Sequence, residues 1–162
     1  MTAAGNLITV QVKPSFRLPF TRTQLKNIIG LVLKTECPRR EWEVECLITD
    51  DASIRRLNGK YRNKHEPTDV LSFTLTDRGG SDPAIKFPSV PGIRTNLGQV
   101  IISYETAARQ AAQRSAAIGS EIKLLLIHGT LHLTGMDHQK PADARKMQAK
   151  ERKYINLIDK VK

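Results

Sequence analysis

Three of the four histidines in this chain lie within eleven residues, at His128, His132 and His138. On an α-helix, residues four apart are rotated by only about 40°, so His128 and His132 would project from one face a turn apart. Gly135 follows them, and glycine readily takes the left-handed conformation that ends a helix and turns the chain back. Such a turn can bring His138 beside the other two, so the spacing predicts three imidazoles that share one metal ion.

The chemistry of that site follows from its ligands. Three neutral imidazoles suit Zn²⁺ at about 2.0–2.1 Å, and three protein ligands with an open fourth position are typical of a catalytic zinc. Such an ion lowers the pKa of a bound water to about 7 and so supplies a hydroxide nucleophile at neutral pH. We expect one Zn²⁺ per chain, with Ni²⁺ as the alternative because imidazoles also bind it well. The competing interpretation, surface or core histidines without a metal, requires the spacing to be a coincidence.

The spacing H-x-x-x-H-x-x-G-x-x-H also occurs in the metzincin proteases, where a glutamate directly after the first histidine moves the proton of the water. Gly129 stands at that position, and glycine cannot move a proton. Glu121 precedes His128 by seven residues and would share its helix face, but two turns away. We interpret it as a favourable charge at a helix N-terminus, beside a capping Ser120. A metalloprotease is therefore the less favoured alternative.

A second dense group of polar residues occupies positions 61–73. Pro67 forces an extended backbone before it, and Asp69 can hydrogen-bond the local backbone as a turn residue. Arg62 and Lys64 place cations beside this turn. A planar guanidinium fits a phosphodiester oxygen and would stabilise the negative charge that builds at phosphorus. A solvated loop arginine in a surface ion pair fits the same residues, and both interpretations stay open on chemistry alone.

The elements that must position these residues alternate between strand and helix patterns. Strands are predicted over residues 7–12, 44–49, 70–75 and 97–103. Helices are predicted from Thr21 or Thr23 to Pro38, from Asp50 or Asp51 to about Gly59, and over residues 104–114, 121–133 and 142–158. Residues 76–96 are rich in Gly and Pro and are predicted to form a long loop that is either mobile or functional. The predicted fold is a single α+β (α/β-like) domain over residues 1–162, with a mixed four-stranded sheet, about five helices, and the metal site on the histidine helix and the turn after it.

Length and composition fit this fold. At 162 residues the chain has the size of one domain, and 40% hydrophobic with 26% charged residues excludes a disordered chain. Its formal charge of +10 points to a polyanion such as nucleic acid. Residues 1–60 carry ten basic and six acidic side chains, residues 61–100 five and four, and residues 101–162 eleven and six. We therefore expect most of the excess charge to hold a nucleic-acid backbone around the site.

The longest apolar run is far short of the roughly 18 residues that a membrane helix needs, so no membrane partner is expected. Cys37 and Cys46 lack metal-binding spacing and are interpreted as reduced intracellular residues. The first strand begins too early for a signal peptide. These features predict a cytoplasmic location, with an organelle matrix as the alternative.

The chain resembles the YbeY family of metal-dependent endoribonucleases. The resemblance rests on the Tyr-Arg-x-Lys segment at 61–64, the Pro-Thr-Asp-Val-Leu-Ser-Phe segment at 67–73, the Leu-Gly-x-Val segment at 97–100 and the three-histidine motif, and it extends from about Val44 to Tyr154. It implies zinc bound by His128, His132 and His138, and an essential arginine at Arg62. It also implies a mixed sheet with the histidine helix packed across it.

The activity that the resemblance implies is cleavage of single-stranded RNA, maturation of the 3′ end of small-subunit ribosomal RNA and ribosome quality control. The expected partners are single-stranded rRNA and the small ribosomal subunit with its proteins. In this hypothesis a metal-bound hydroxide attacks the phosphodiester, Arg62 and His128 are catalytic, and Arg62 and Lys64 bind substrate. The main alternative is a non-catalytic ribosome-assembly factor with a structural metal.

Three positions depart from the family pattern. Gln99 stands where an aspartate is usual, His65 replaces a common aspartate, and Met136 replaces a frequent tyrosine. His65 lies in a polar stretch and is expected to be an exposed loop side chain. No departure removes a predicted metal ligand, but Gln99 cannot act as a base, so the group that transfers protons is left open.

Overall fold

The computed structural model describes residues 5–38, 41–75, 94–137 and 139–161. In these ranges the chain forms four strands and five helices, as predicted. In chain order they are β1 (Leu7–Val12), α1 (Arg22–Glu36), β2 (Trp42–Thr49), α2 (Asp51–Arg62), β3 (Val70–Thr74), β4 (Thr95–Ser103), α3 (Tyr104–Gln113), α4 (Ile118–Leu133) and α5 (Pro141–Lys160). The predicted end of the loop over 76–96 is wrong, because β4 begins at Thr95, and residues 76–93 lie outside the described ranges.

The sheet is mixed and has the strand order β1-β2-β4-β3. β1, β2 and β4 are parallel, and β3 pairs with β4 in the antiparallel sense. The parallel pair β1 and β2 requires a crossover connection, and α1 supplies it. This arrangement confirms the predicted single α+β domain with a mixed four-stranded sheet.

Side chains at the helix starts account for two of the boundaries. Thr21 caps α1 through its hydroxyl, which accepts a hydrogen bond from the Gln24 backbone at 3.1 Å, and the Gln24 side chain accepts one from the Thr21 backbone. Asp50 caps α2 by accepting from Ser53 N at 2.8 Å. The expected cap at Ser120 is wrong, because α4 already begins at Ile118 and Ser120 lies inside its first turn. The N-cap there is Ala117, which makes no side-chain hydrogen bond.

Helix α2 is longer than predicted. It continues through Gly59 to Arg62 and ends where Asn63 takes a left-handed conformation, with φ of 55°. Asparagine is one of the few residues other than glycine that accept this conformation. Arg62 is therefore the last residue of a helix, not the loop residue that the sequence suggested.

The core lies on both faces of the sheet. The larger cluster joins the face of β2 and β4 that carries Val44, Ile48 and Val100 to the apolar faces of α1, α4 and α5. A smaller cluster of Ile54, Leu71 and Ile101 lies on the other face, beneath α2. Helix α4 packs on β3 and β4 as well as on α1, α3 and α5, so the predicted histidine helix lies at the centre of the domain.

The cysteines lie within this core. Cys46 is buried on β2, where burial raises the pKa of its thiol to about 12, and Cys37 is buried at the end of α1. Across the described ranges, no helix combines the length and the apolar character that crossing a membrane requires.

Candidate active site

His128 and His132 converge on the surface of α4. Their Nε2 atoms lie 3.1 Å apart, and their rings approach edge to face with centroids separated by 4.7 Å. Both side chains are only partly buried, because they line a cleft beside β3. The structure thus brings together two of the three predicted metal ligands, whereas His138 lies outside the described residues.

The turn after α4 has the predicted glycine conformation. Gly135 has φ of 99°, and its N–H donates to the carbonyl of His132 at 3.0 Å. The N–H of Met136 donates back to Leu131 at 3.2 Å, which satisfies a second carbonyl at the helix end. The chain therefore turns away from the helix axis immediately after the two histidines.

Glu151 is a site residue that the sequence interpretation missed. Its Oε1 lies 2.5 Å from Nδ1 of His128, and its side chain is 12% exposed. A carboxylate only accepts hydrogen bonds, so Nδ1 is the donor and Nε2 keeps its lone pair for the cleft. Metal-bound histidines usually donate their second ring N–H to a carboxylate or a carbonyl, so the sequence indicated that such a partner should exist. The two positions are 23 apart in sequence, so no local spacing indicates which acid supplies the contact.

The cleft beside these histidines has a volume of about 460 Å³. Alternate residues of β3 form one wall, the end of α2 contributes an arginine, and the chain after α4 closes it. Its lining residues are Arg62, Thr68, Asp69, Val70, Ser72, Thr74, His128, His132, Asp137 and Gln139. Arg62 and the two histidines, which are distant from it in sequence, therefore line one cleft. The cleft has the size expected for a ligand site.

Of the two cations predicted to bind substrate, Arg62 lines the cleft and Lys64 does not. Both side chains are exposed, and Lys64 follows the left-handed turn at Asn63. His65 is exposed in the loop after α2, as expected for a residue outside the site.

Two carboxylates line the cleft. Asp69 has the predicted turn role, since its Oδ1 accepts from Val70 N at 2.7 Å. Its Oδ2 accepts from the Gln110 side chain at 3.1 Å, so α3 also holds it in place. Asp137 lies in the turn after α4, and its position in the cleft had not been predicted.

Gly129 stands where the metzincin proteases have their catalytic glutamate, and it lies against the sheet. A Cβ at this position would stand 2.5 Å from Val100 Cγ1, and the carbonyl of Gly129 accepts a hydrogen bond from Ser72 Oγ at 3.1 Å. Position 129 therefore faces the sheet, and no side chain fits between helix and strand.

Glu121 does not replace that base either. It is buried at the far end of α4, where both carboxylate oxygens accept from Arg114 at 3.0 and 3.2 Å. Burial raises its pKa, although the charge of Arg114 opposes the shift. Glu121 does not line the cleft, so it is not placed to act on a group bound there.

Gln99 lies on the opposite face of the sheet from the histidines. Its neighbour Val100 faces Gly129, and successive side chains of a strand point to opposite faces. Gln99 instead donates a hydrogen bond to Glu45 Oε2 at 2.6 Å, across to β2. The departure from the family pattern at this position therefore does not alter the lining of the cleft.

The donor set fits a zinc ion. Two nitrogens bound to one tetrahedral Zn²⁺ at about 2.05 Å lie about 3.3 Å apart, close to the 3.1 Å between the two Nε2 atoms. The Glu151 partner favours the tautomer in which His128 carries its proton at Nδ1 and its lone pair at Nε2. Within the described part of the chain, no three His, Cys, Asp or Glu side chains are grouped to hold an ion.

The fold and this cleft define a class, that of α+β proteins with two histidines of one helix exposed to a cleft. The family model described as "Endoribonuclease YbeY" matches residues 10–159. The chain therefore belongs to the endoribonuclease YbeY family.

Individual relatives agree with this assignment. An endoribonuclease YbeY of Dehalococcoides mccartyi is 40% identical over 137 residues, which cover 83% of this chain and 86% of that protein. Its counterpart in Roseiflexus castenholzii is 34% identical over 159 residues, 98% of this chain and 96% of the relative. That of Anaeromyxobacter is 45% identical over 113 residues, 70% of this chain and 53% of the relative.

A solved structure has the same fold. A Thermotoga maritima protein determined in solution matches with a TM-score of 0.60 at 21% identity, over 94% of this chain and 89% of that one. At this identity the likeness concerns the fold alone.

Proposed function

We propose that this chain cleaves single-stranded ribosomal RNA in the cleft between α4 and β3, with the help of one Zn²⁺ ion. Family membership makes the chain an endoribonuclease with RNA as its substrate. The observation that carries the finer proposal is the convergence of His128 and His132 in a cleft that Arg62 also lines.

His128 and His132 would hold the ion through their Nε2 atoms, together with His138. When bound, Zn²⁺ acts as a Lewis acid that lowers the pKa of a coordinated water to about 7. Nickel is the alternative ion, because the same imidazoles bind it. The catalytic residues in this proposal are Arg62 and His128.

Arg62 would bind a phosphodiester oxygen and stabilise the charge that develops in the transition state. Its guanidinium has five donors in a planar fork, a geometry that lysine lacks. As the last residue of α2, it is held at the cleft by a helix and not by a loop. Lys64 would contact the backbone of the RNA outside the cleft, as an exposed point charge.

The exposed face of α5 would hold more of the RNA backbone. It carries five exposed cations: Arg145, Lys146, Arg152, Lys153 and Lys160. Cations that neutralise phosphates release counterions and bind without regard to sequence. Gln139, two residues before this helix, lines the cleft, so an RNA strand on α5 can continue toward the histidines.

The biological role we propose is maturation of the 3′ end of small-subunit ribosomal RNA and ribosome quality control, with the small subunit and its proteins as partners. Support comes from the family of the chain and from its net charge of +10. A cytoplasmic location remains a prediction from the sequence.

The test compares substrates. Zinc-loaded protein is incubated with single-stranded RNA, duplex RNA and casein, beside His128→Ala and Arg62→Ala variants. We expect cleavage of the single strand alone and its loss in both variants. Ribosome association without cleavage would instead support the non-catalytic assembly factor, and casein cleavage that His128→Ala abolishes would support the protease.

A further inference from the structure

We propose that Glu151 is a positioning residue that orients His128 for metal binding. The proposal rests on the zinc site proposed above, and it concerns a residue that does not itself touch the ion or the RNA.

The contact between Glu151 and His128 is short and shielded. Oε1 and Nδ1 lie 2.5 Å apart, and the side chains are 12% and 24% exposed. A hydrogen bond to an ionised group in such partly dry surroundings is stronger than a neutral one in water. It therefore holds the ring more firmly than a solvated partner would.

This contact also selects the tautomer. A neutral imidazole has one N–H and one lone pair, and the carboxylate places the N–H at Nδ1. The lone pair of His128 is then at Nε2, the atom that faces His132. Without the carboxylate, the proton can move to Nε2 and the ring can turn, and both changes remove a metal donor.

Two residues of α5 that flank Glu151 anchor this helix to Glu36 of α1. Tyr154 donates a hydrogen bond to Glu36 Oε1 at 2.5 Å, and Lys150 forms an ion pair with the same carboxylate at the end of α1. The Tyr154 side chain is fully buried. Glu151 is thus presented by a helix anchored to α1, as a preorganised site requires.

The test measures zinc affinity by competition with a chromogenic chelator, for the wild type and Glu151→Gln. Glutamine keeps the shape but not the charge. We expect about 10- to 100-fold weaker binding, the usual effect of removing such a partner. Asp143→Asn, which neutralises another carboxylate of α5, is the matched control and should bind zinc within about twofold of the wild type.

A second readout separates positioning from folding. Co²⁺ absorption should show a changed ligand field in Glu151→Gln, and excess zinc should restore its RNA cleavage with KM for RNA unchanged. If Glu151→Gln does not fold, Glu151→Asp replaces it, since the shorter carboxylate should also weaken zinc binding.

Equal zinc affinity in the wild type and the Glu151 variant overturns this inference and leaves the proposed function intact. A wild type that binds neither Zn²⁺ nor Co²⁺ overturns the zinc site itself, and the role of Glu151 with it.

Discussion

Gly129 of α4 lies against Val100 of β4 so closely that a Cβ on the glycine would stand 2.5 Å from Val100 Cγ1. This close approach brings the helix down onto the sheet directly beside His128. The Ser72 hydroxyl, which donates to the Gly129 carbonyl at 3.1 Å, joins the same point to β3. Helix α4 and strand β3, which bound the cleft, are therefore held together at Gly129.

Gly129→Ala should destabilise the protein. Overpacking of this kind costs about 1–3 kcal/mol, and the better helix propensity of alanine, about 1 kcal/mol, offsets only part of it. Gly30→Ala on α1 is the control, because its Cβ would meet Ile8 at an ordinary 3.5 Å. We expect Gly30→Ala to be neutral or stabilising in urea unfolding. Equal stabilities of the two variants would contradict the close helix-to-strand contact.

Arg62→Ala should lower kcat for RNA cleavage by about 10²- to 10³-fold, the effect of removing one group that stabilises transition-state charge. Arg62→Lys should recover only part of the rate, because an ammonium lacks the planar fork. Arg56→Ala removes another exposed cation of α2 that does not line the cleft, and it should leave kcat near the wild-type value. Steady-state kinetics on a labelled single strand measure all three. A fully active Arg62→Ala would exclude the proposed role.

Acid should weaken the contact between α1 and α5. Burial alone would raise the pKa of Glu36, but hydrogen bonds from Lys150 and Tyr154 outweigh it, and the pKa lies below its ordinary value of 4.5. A carboxyl whose pKa is lower in the folded state stabilises the fold above the unfolded pKa, and this contribution is lost as the pH falls through the folded pKa.

The free energy of unfolding should therefore fall as the pH drops below about 5, and Glu36→Gln should flatten this fall while being less stable at neutral pH. Denaturant titrations at several pH values provide the measurement. An acid dependence identical to that of the wild type would argue against the Glu36 contribution.

Binding of single-stranded RNA should weaken steeply with salt. The logarithm of the binding constant falls against the logarithm of salt concentration by about 0.7 for each phosphate contact. Lys146→Gln combined with Arg152→Gln, both on the exposed face of α5, should make this slope shallower and leave zinc affinity unchanged. Fluorescence anisotropy with an uncleavable strand measures the slope. An unchanged slope would place the RNA elsewhere.

Much of the fold could be predicted from local signals. The apolar β-branched runs gave β1 with its observed bounds and the other strands within two residues, because buried strands carry such runs whatever their neighbours. Thr21 and Asp50 act as the helix caps that their types suggest. The start of α4 was misplaced because Ala117 gives no capping signal. The end of α2 was also misplaced, although the sequence carries a signal for it. Asn63 follows a last turn that contains Lys60 and Arg62, and both features are typical of a helix C-terminus.

Within the site, the paired histidines could be predicted from their shared helix, and Arg62 from its chemistry and the family resemblance. His128 and His132 follow from a four-residue spacing, which fixes their relative direction. Asp69 and Asp137 line the cleft from segments outside α4, and Glu151 contacts His128 from α5. Their proximity depends on packing that no spacing encodes. The sequence likewise could not show that Gln99 points away from α4. That orientation depends on which residues of β4 face the helix, which only the assembled sheet determines.

If the cleft cleaves RNA with an ion held by the helix histidines, cleavage must depend on that ion. The most direct measurement is the rate of single-strand cleavage as a function of bound zinc, in the wild type and in His132→Ala. We expect cleavage to rise with zinc up to one ion per chain, to disappear with a chelator and to return on zinc addition. In His132→Ala, cleavage should stay absent. Cleavage at the wild-type rate by metal-free protein would contradict it.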